Sequence, residues 1–371
     1  MKHILIDGTT ISKQMDGLSQ YILNVTNRLP LHDDRQYHIV VRPGECPVAY
    51  MEIWQNKGID ILTASIEPIG VRREFQFYRW LKQQKPFDAV IVPSNQFPIA
   101  LRVPSIYVVH DIIYERFPSQ LGKWAKLKRL WLHFNVARGL KQTNQIIAVS
   151  QYTKQEILRF HHNTKEQKIQ VVYEGWEHLK TTSTPPSINV PFSKYIVYIG
   201  SSRGHKNIQG LLDAMELAAP KLSTTEGLVI VGDSKMLNAH QLDQIKRLKE
   251  HVLVTGWINQ EELSAYYCQA KAVIFPSLCE GFGIPILEAF YFHKPLLLSN
   301  AASLPEVAGE AAIYFDPIKP QEIAEKILYA IQMSDQEQRL WMEQGEERLK
   351  LFSWQKTADE IDKIITKQLN A

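Results

Sequence analysis

Cysteine is scarce: Cys46, Cys268 and Cys279 are the only three in 371 residues, far apart and odd in number. They offer neither a disulfide framework nor a CxxC zinc pair, which fits a reducing compartment. Long apolar runs are lacking as well. Nothing approaches the ~18 residues of a membrane span. The opening MKHILIDGTT passes from lysine straight into a short β-branched strand, without the ~7–15-residue apolar stretch of a signal peptide. A cytosolic protein is therefore expected. The formal net charge of +3 is too small to indicate nucleic acid as a partner. No Gly-x-Gly-x-x-Gly follows the first strand, HILID, and the only Gly-x-Gly, Gly281–Gly283, runs into Pro285. This disfavours a dinucleotide-dependent oxidoreductase.

What is present is ordinary globular material: 45% hydrophobic and 22% charged residues, enough for two cores and against disorder on a domain scale. Short β-rich runs alternate with helical patterns. The first set of strands is read at His3–Asp7, Tyr37–Arg42, Ala89–Val92, Ser105–Val109, Gln145–Val149 and Ile169–Tyr173. Helical periodicity falls at Leu18–Leu29, Arg72–Gln83, Trp124–Leu140 and Thr153–Arg159. A Thr/Ser/Pro-rich segment, Thr181–Pro191, reads as a linker. After it the alternation restarts with Tyr195–Ile199, Leu228–Val231, Val252–Thr255, Ala272–Phe275 and Pro295–Leu298. Two doubly wound α/β domains facing across a cleft are the expected architecture.

Three loops of the second half carry chemistry. In Phe275–Phe290, a strand ends, a Gly-x-Gly turn follows, and a helical pattern begins at Ile284. Glu280 lies on the turn and Glu288 about one turn into the helix, while Gly281 and Gly283 let backbone N–H groups approach a ligand. The bland alternative is an ordinary βα turn followed by a solubilising glutamate. In Gly200–Asn207 (GSSRGHKN), Arg203 and Lys206 flank Gly204 ahead of a helix, which suits a diphosphate or, more simply, a solvated basic turn. His205 has no second ligand at zinc spacing. The third loop, Asn300–Gly309, holds Glu306, either a ligand group or a plain helix-start carboxylate.

In the first half, His110 follows the strand IYVV and is expected at a carboxyl end of the sheet facing the cleft, as a hydrogen-bonding imidazole or as a strand-end histidine packed with Asp111. Lys and Arg exceed Asp and Glu by eight across residues 1–189 and fall short by five across 190–371. No acidic residue occurs from Arg116 to Gln155. Lys123, Lys126, Lys128, Arg129, Arg138 and Lys141 share this stretch with Trp124, Leu127, Leu130, Trp131 and Phe134 at helical spacing. Such a helix suits an anionic membrane surface, or else packs its apolar face on the domain.

PSLCEGFGIPILEAF, GSSRGHKN and SLPEVAG, in their order and spacing, resemble family 4 of the retaining glycosyltransferases, which have the GT-B fold. DGLSQY (Asp16–Tyr21) resembles that family's first glycine loop, with Asp16 in place of the first of two glycines, so that only Gly17 carries over. VVHDIIYERFP around His110, AVSQYTKQEI (Ala148–Ile157) and FSWQKTADEI (Phe352–Ile361) match further family segments. The resemblance implies that Glu288 binds the ribose of a nucleotide-diphosphate sugar and Glu280 the sugar hydroxyls. It places the amides of Phe282 and Gly283 near the sugar and diphosphate, with Gly17 approaching the phosphate or the acceptor. Arg203 and Lys206 would neutralise the leaving diphosphate in place of a metal, consistent with the absence of a suitably placed Asp-x-Asp, and His110 would meet a sugar hydroxyl.

It further implies an acceptor-binding domain at about 1–180, a donor-binding domain at about 190–352 and a last helix (353–371) returning to the first. The expected reaction is metal-independent, retaining transfer of a hexose, first mannose from GDP-mannose, to a saccharide or lipid-linked acceptor of surface polysaccharide or lipopolysaccharide. The chain would be cytoplasmic, touching the inner face of the membrane through 123–141, with no cofactor besides its sugar nucleotide. A nucleotide-sugar 2-epimerase of the same fold and, next, the disfavoured dinucleotide-dependent oxidoreductase are the rival readings, with a non-catalytic sugar-nucleotide binder as a further alternative.

Overall fold

The computed structural model describes residues 1–99, 101–179, 186, 188–201 and 203–370, with Met236 by its backbone alone. Most of the Ser/Thr/Pro-rich linker, including 181–185, lies outside the described residues. Two compact units result: Met1–His178 with Ser353–Ala371, and Leu179–Phe352.

The first unit is built on a parallel sheet of seven strands: β1 (Lys2–Asp7), β2 (Arg35–Val41), β3 (Asp60–Thr63), β4 (Ala89–Val92), β5 (Ser105–Val109), β6 (Gln145–Ala148) and β7 (Ile169–Val171), in the order β3-β2-β1-β4-β5-β6-β7. Strands β4, β5 and β6 are buried along their whole length, the continuous apolar signature of a sheet covered on both faces. Helices α1 (Gly17–Arg28), α2 (Val48–Asn56), α3 (Val71–Leu81), α4 (Ile113–Arg116), α5 (Ala125–Gln142) and α6 (Gln151–Phe160) supply the cover.

The second unit repeats the plan with six parallel strands: β8 (Lys194–Ile199), β9 (Glu226–Val231), β10 (Val252–Val254), β11 (Ala272–Phe275), β12 (Leu296–Ser299) and β13 (Ile313–Phe315), in the order β10-β9-β8-β11-β12-β13. Its helices are α7 (Ile208–Ala218), α8 (Ala239–Arg247), α9 (Gln260–Gln269), α10 (Ile284–Tyr291), α11 (Leu304–Ala308), α12 (Pro320–Gln332) and α13 (Asp335–Leu349). Capping boxes from Asn238, Asn259 and Ser334 start α8, α9 and α13. The last helix, α14 (Trp354–Leu369), belongs to the first unit and packs on α1. Its Asp362 accepts from Arg35 Nη1 at 2.9 Å, and its start passes so close to Gly175 that a Cβ there would stand 2.0 Å from Trp354 N.

Strand order reverses beside β1 and β4 in one sheet and beside β8 and β11 in the other. At such switch points the loops leaving the carboxyl ends diverge and open a crevice for a ligand. Gly200–Asn207 leaves β8 and Pro276–Gly283 leaves its neighbour β11, so both loops singled out by sequence share one switch point. Two strands escaped the sequence reading. DILT (β3) and IYF (β13) are edge strands of four and three residues; β3 has polar ends and no fully buried residue, so it lacks the apolar run that marks a buried strand. Among the described residues, no helix is long and apolar enough to cross a membrane.

Candidate functional site

The two loops of the second unit are sewn together by their backbones. Leu278 N donates to His205 O at 2.7 Å. Asn207 Nδ2 donates to Pro276 O at 3.1 Å and to Pro317 O at 2.8 Å. Tyr198, at the end of β8, donates its hydroxyl to Ser201 O at 2.9 Å, and burial holds that phenol protonated far above its usual range. The helix start beyond the first loop is capped. A single 3-10 turn, Gly204–Lys206, intervenes, and Asn207 in a left-handed conformation accepts from Gly210 N at 3.3 Å.

This stitching brings Lys206 to Glu280. The ammonium lies 2.7 Å from Glu280 Oε1, both side chains largely shielded, and 5.2 Å from the centre of the Phe275 ring. Arg203, in the same loop, is exposed. Ser303 Oγ is close to two carbonyls, Glu280 O and Phe282 O, at 2.9 Å each, and fixes the turn that carries them. Phe282 is buried and packs edge-on against Phe352, centroids 5.8 Å apart.

Gly281 is buried beside it, and Gly283 closes the turn at φ +111°, a conformation that favours glycine. A Cβ on Gly283 would also stand 3.0 Å from Leu304 Cδ2. Glu288 sits on α10, partly exposed, and its Oε2 accepts the hydroxyl of buried Tyr267 at 2.6 Å. Burial, and next the Glu288 carboxylate itself, push the Tyr267 phenol well above its usual pKa, so it stays a donor. Glu306 starts the short helix α11, and its carbonyl accepts from Arg348 Nη2 at 2.6 Å.

In the first unit, Asp16 is the N-cap of α1: its carboxylate accepts from Ser19 N at 2.9 Å and Ser19 Oγ at 2.7 Å. The aspartate that departs from the expected glycine pair therefore has a capping task, and Gly17 becomes the first, exposed residue of the helix. One turn on, Tyr21 packs edge-on against His110 with centroids 4.6 Å apart.

His110 stands just past β5. Its backbone N–H donates to Asn95 Oδ1 at 3.1 Å, and its Nδ1 lies 3.1 Å from Glu174 Oε1. An ionised carboxylate only accepts, so Glu174 fixes the Nδ1–H tautomer and leaves Nε2 with a lone pair. That Nε2 is buried without a partner among the described residues. Its neighbour Asp111 accepts from Ile113 N at 3.1 Å through Oδ1.

Sequence reasoning missed Glu174, Tyr267 and Ser303. Glu174 had one signal, an acid just beyond a strand end. Tyr267 and Ser303 had none, since each acts through a residue distant in sequence. The basic helix α5 also differs from one of its two readings. Trp124 precedes the helix in a left-handed conformation, and α5 buries Asn135, Val136, Gly139 and Leu140. Trp124, Leu127, Leu130 and Phe134 are instead exposed to 66, 60, 66 and 55%, while Trp131 is half-buried.

Chemically, the second unit offers a preorganised cation beside a carboxylate at a sheet switch point, with a second carboxylate about one turn into the helix that follows. That suits a polar, anionic ligand carrying hydroxyl groups. Comparison with known proteins agrees in kind. The model of the Glycosyltransferase Family 4 domain matches residues 15–177, and that of glycosyl transferases group 1 matches 185–348. O-antigen chain mannosyltransferase B of Escherichia coli is 34% identical over 167 residues, 43% of this chain and 42% of the relative. O-antigen chain mannosyltransferase RfbU of Salmonella typhimurium is 26% identical over 229 residues, 61% of each. The chain thus spans about half the length of these curated relatives. HepE of Anabaena, solved with UDP and glucose, superposes with a TM-score of 0.74 at 17% identity, covering 99% of this chain and 100% of that one.

Proposed function

This chain belongs to the two-domain glycosyltransferases that the family 4 and group 1 models describe, and on that premise we propose that it transfers a hexose from a nucleotide-diphosphate sugar to a saccharide or lipid-linked acceptor. Mannose from GDP-mannose is the first choice, supported by the two O-antigen mannosyltransferases it resembles. The observation that carries the reading is the Lys206–Glu280 pair at the β8/β11 switch point.

In this reading, Lys206 and Arg203 meet the charge that grows on the departing diphosphate, which a preorganised cation stabilises most where water is excluded. Glu280 takes the sugar hydroxyls and Glu288 the ribose. The amides of the Gly281–Gly283 turn approach the diphosphate. His110 Nε2, left with a lone pair when Nδ1–H is held by Glu174, accepts from a sugar hydroxyl. The acceptor hydroxyl attacks the anomeric carbon on the face from which the diphosphate leaves; as the bond from that carbon to the diphosphate oxygen breaks, the hydroxyl proton passes to the departing diphosphate, and configuration is retained. No metal is required. The first unit binds the acceptor, and the exposed Trp124, Leu127, Leu130 and Phe134 among Lys123, Lys126 and Lys128 rest on an anionic membrane surface.

A thermal-shift panel of UDP-, GDP- and dTDP-sugars tests the donor class, and NMR of the transferred linkage tests retention. Stabilisation by GDP-mannose above the others, with an α-linked product from the α-linked donor, is expected. A β-linked product overturns the retaining mechanism, and indifference to every sugar nucleotide overturns the reading as a whole.

A further inference from the structure

Three helices of the first unit meet at a cluster with no part in the site above. Glu115 sits in α4, His133 lies midway along α5, and His161 ends α6. One potential ligand atom from each lies within 4.8 Å of the other two. His133 Nδ1 is 2.5 Å from Glu115 Oε1, and the His133 and His161 rings stack with centroids 4.5 Å apart. Arg129 Nε donates to the other oxygen, Glu115 Oε2, at 2.8 Å. An ion-pair network of Glu115, His133 and Arg129 would account for all of this except His161. That residue is only 6% exposed, and its Nε2 has no partner among the described residues. A buried ring nitrogen left without a partner is costly.

We propose that Glu115, His133 and His161 form a binding site for one divalent ion of the zinc class. Two imidazoles and one carboxylate are the donor set of zinc, cobalt and nickel, whereas magnesium and calcium favour oxygen alone. Ligands ~2.0–2.2 Å from a tetrahedral ion stand ~3.3 Å apart. Glu115 and His133 therefore part by under ~1 Å to admit the ion, and the His161 nitrogen closes from its present distance. Arg129 plays the outer partner that orients a ligating carboxylate.

The protonation state is also right. Burial, followed by the neighbouring His133, brings the His161 pKa down to about 4, so its ring is neutral under ordinary conditions. The half-exposed side chain of His133 leaves a path for the ion to enter. Once bound, the ion would tie α4, α5 and the end of α6 together.

The test uses the full chain, freed of any affinity tag, stripped with chelator and titrated with zinc chloride by calorimetry at neutral pH. One zinc per chain is expected, with a cobalt-substituted form showing the d–d absorption of a four- or five-coordinate site. His161→Gln and Glu115→Gln should each weaken zinc binding at least tenfold, the loss that even an outer-shell partner produces. His133→Gln, at a half-exposed position where the fold is less sensitive, should do the same. Zinc should raise the Tm of the wild type and leave that of His133→Gln unmoved. No zinc uptake below millimolar concentration, or equal affinity in wild type and His133→Gln, overturns the proposal.

Discussion

The ammonium of Lys206 and the carboxylate of Glu280 stand 2.7 Å apart, joining loops that leave two hydrogen-bonded neighbours, β8 and β11. The Lys206 side chain also meets the Phe275 ring, and Ser303 holds the backbone of Glu280 at its carbonyl. A lysine has three N–H donors, so one can stay with Glu280 while the others turn to an anion. The pair is consequently both a positioning device and a site component.

This gives opposite expectations for the two partners. Lys206→Ala removes a preorganised charge from the leaving group and should lower turnover by roughly 10²–10³. Glu280→Gln frees Lys206 from its counter-charge. Binding of the free nucleoside diphosphate should then be kept or tightened while turnover falls. Steady-state kinetics with calorimetry on each variant check this. Activity of the wild type should also survive EDTA; complete loss restored by magnesium or manganese would contradict a purely cationic clamp.

Glu288 depends on Tyr267 in the same manner. The phenol stays protonated, since burial and the adjacent carboxylate push its pKa well up. Tyr267→Phe deletes one hydrogen bond to a charged group, worth ~1.5–3 kcal/mol. Nucleotide affinity should fall by about tenfold or more, a loss that Glu288→Gln reproduces. Unchanged affinity in both variants would remove Glu288 from the ribose.

Gly283→Ala should destabilise the second unit by roughly 2–5 kcal/mol. Left-handed backbone costs an alanine ~1–2 kcal/mol, and the new methyl crowds Leu304 at 3.0 Å, where overpacking adds ~1–3 kcal/mol. Urea unfolding followed at two wavelengths measures it. A change under about 0.5 kcal/mol would mean that the turn relaxes freely.

For the membrane contact, Lys123, Lys126 and Lys128 are the cations to reverse, because Arg129 is committed to Glu115. At ~1 kcal/mol per basic residue near an anionic leaflet, the triple change to Glu should abolish flotation with anionic vesicles. Wild-type flotation should weaken with salt as the Debye length falls from ~10 Å at 0.1 M to ~3 Å at 1 M. Equal recovery on neutral and anionic vesicles would leave the cations a solvated face.

The central strands were legible because a buried parallel strand is an unbroken apolar run: Ala89–Val92 and Ser105–Val109 coincide with β4 and β5. The edges β3 and β13 were not; β3 has polar ends and no fully buried residue, so no apolar run marks it. Loop residues such as Glu280 and Lys206 stood out by type and place. Their mutual contact did not, because it depends on which strands become neighbours. Glu174 and Tyr267 stayed hidden for the same reason, each acting on a residue remote in sequence. The exposed side of α5 was ambiguous because its apolar residues form a stripe while the buried anchors, Asn135 and Gly139 among them, are not strongly apolar.

The most direct test is calorimetric titration of GDP-mannose into the full chain with EDTA present, wild type beside Lys206→Ala and Glu288→Gln. One-site binding that each substitution weakens at least tenfold is the predicted result. Binding unaltered by both substitutions, or no binding of any nucleotide sugar, would contradict the account.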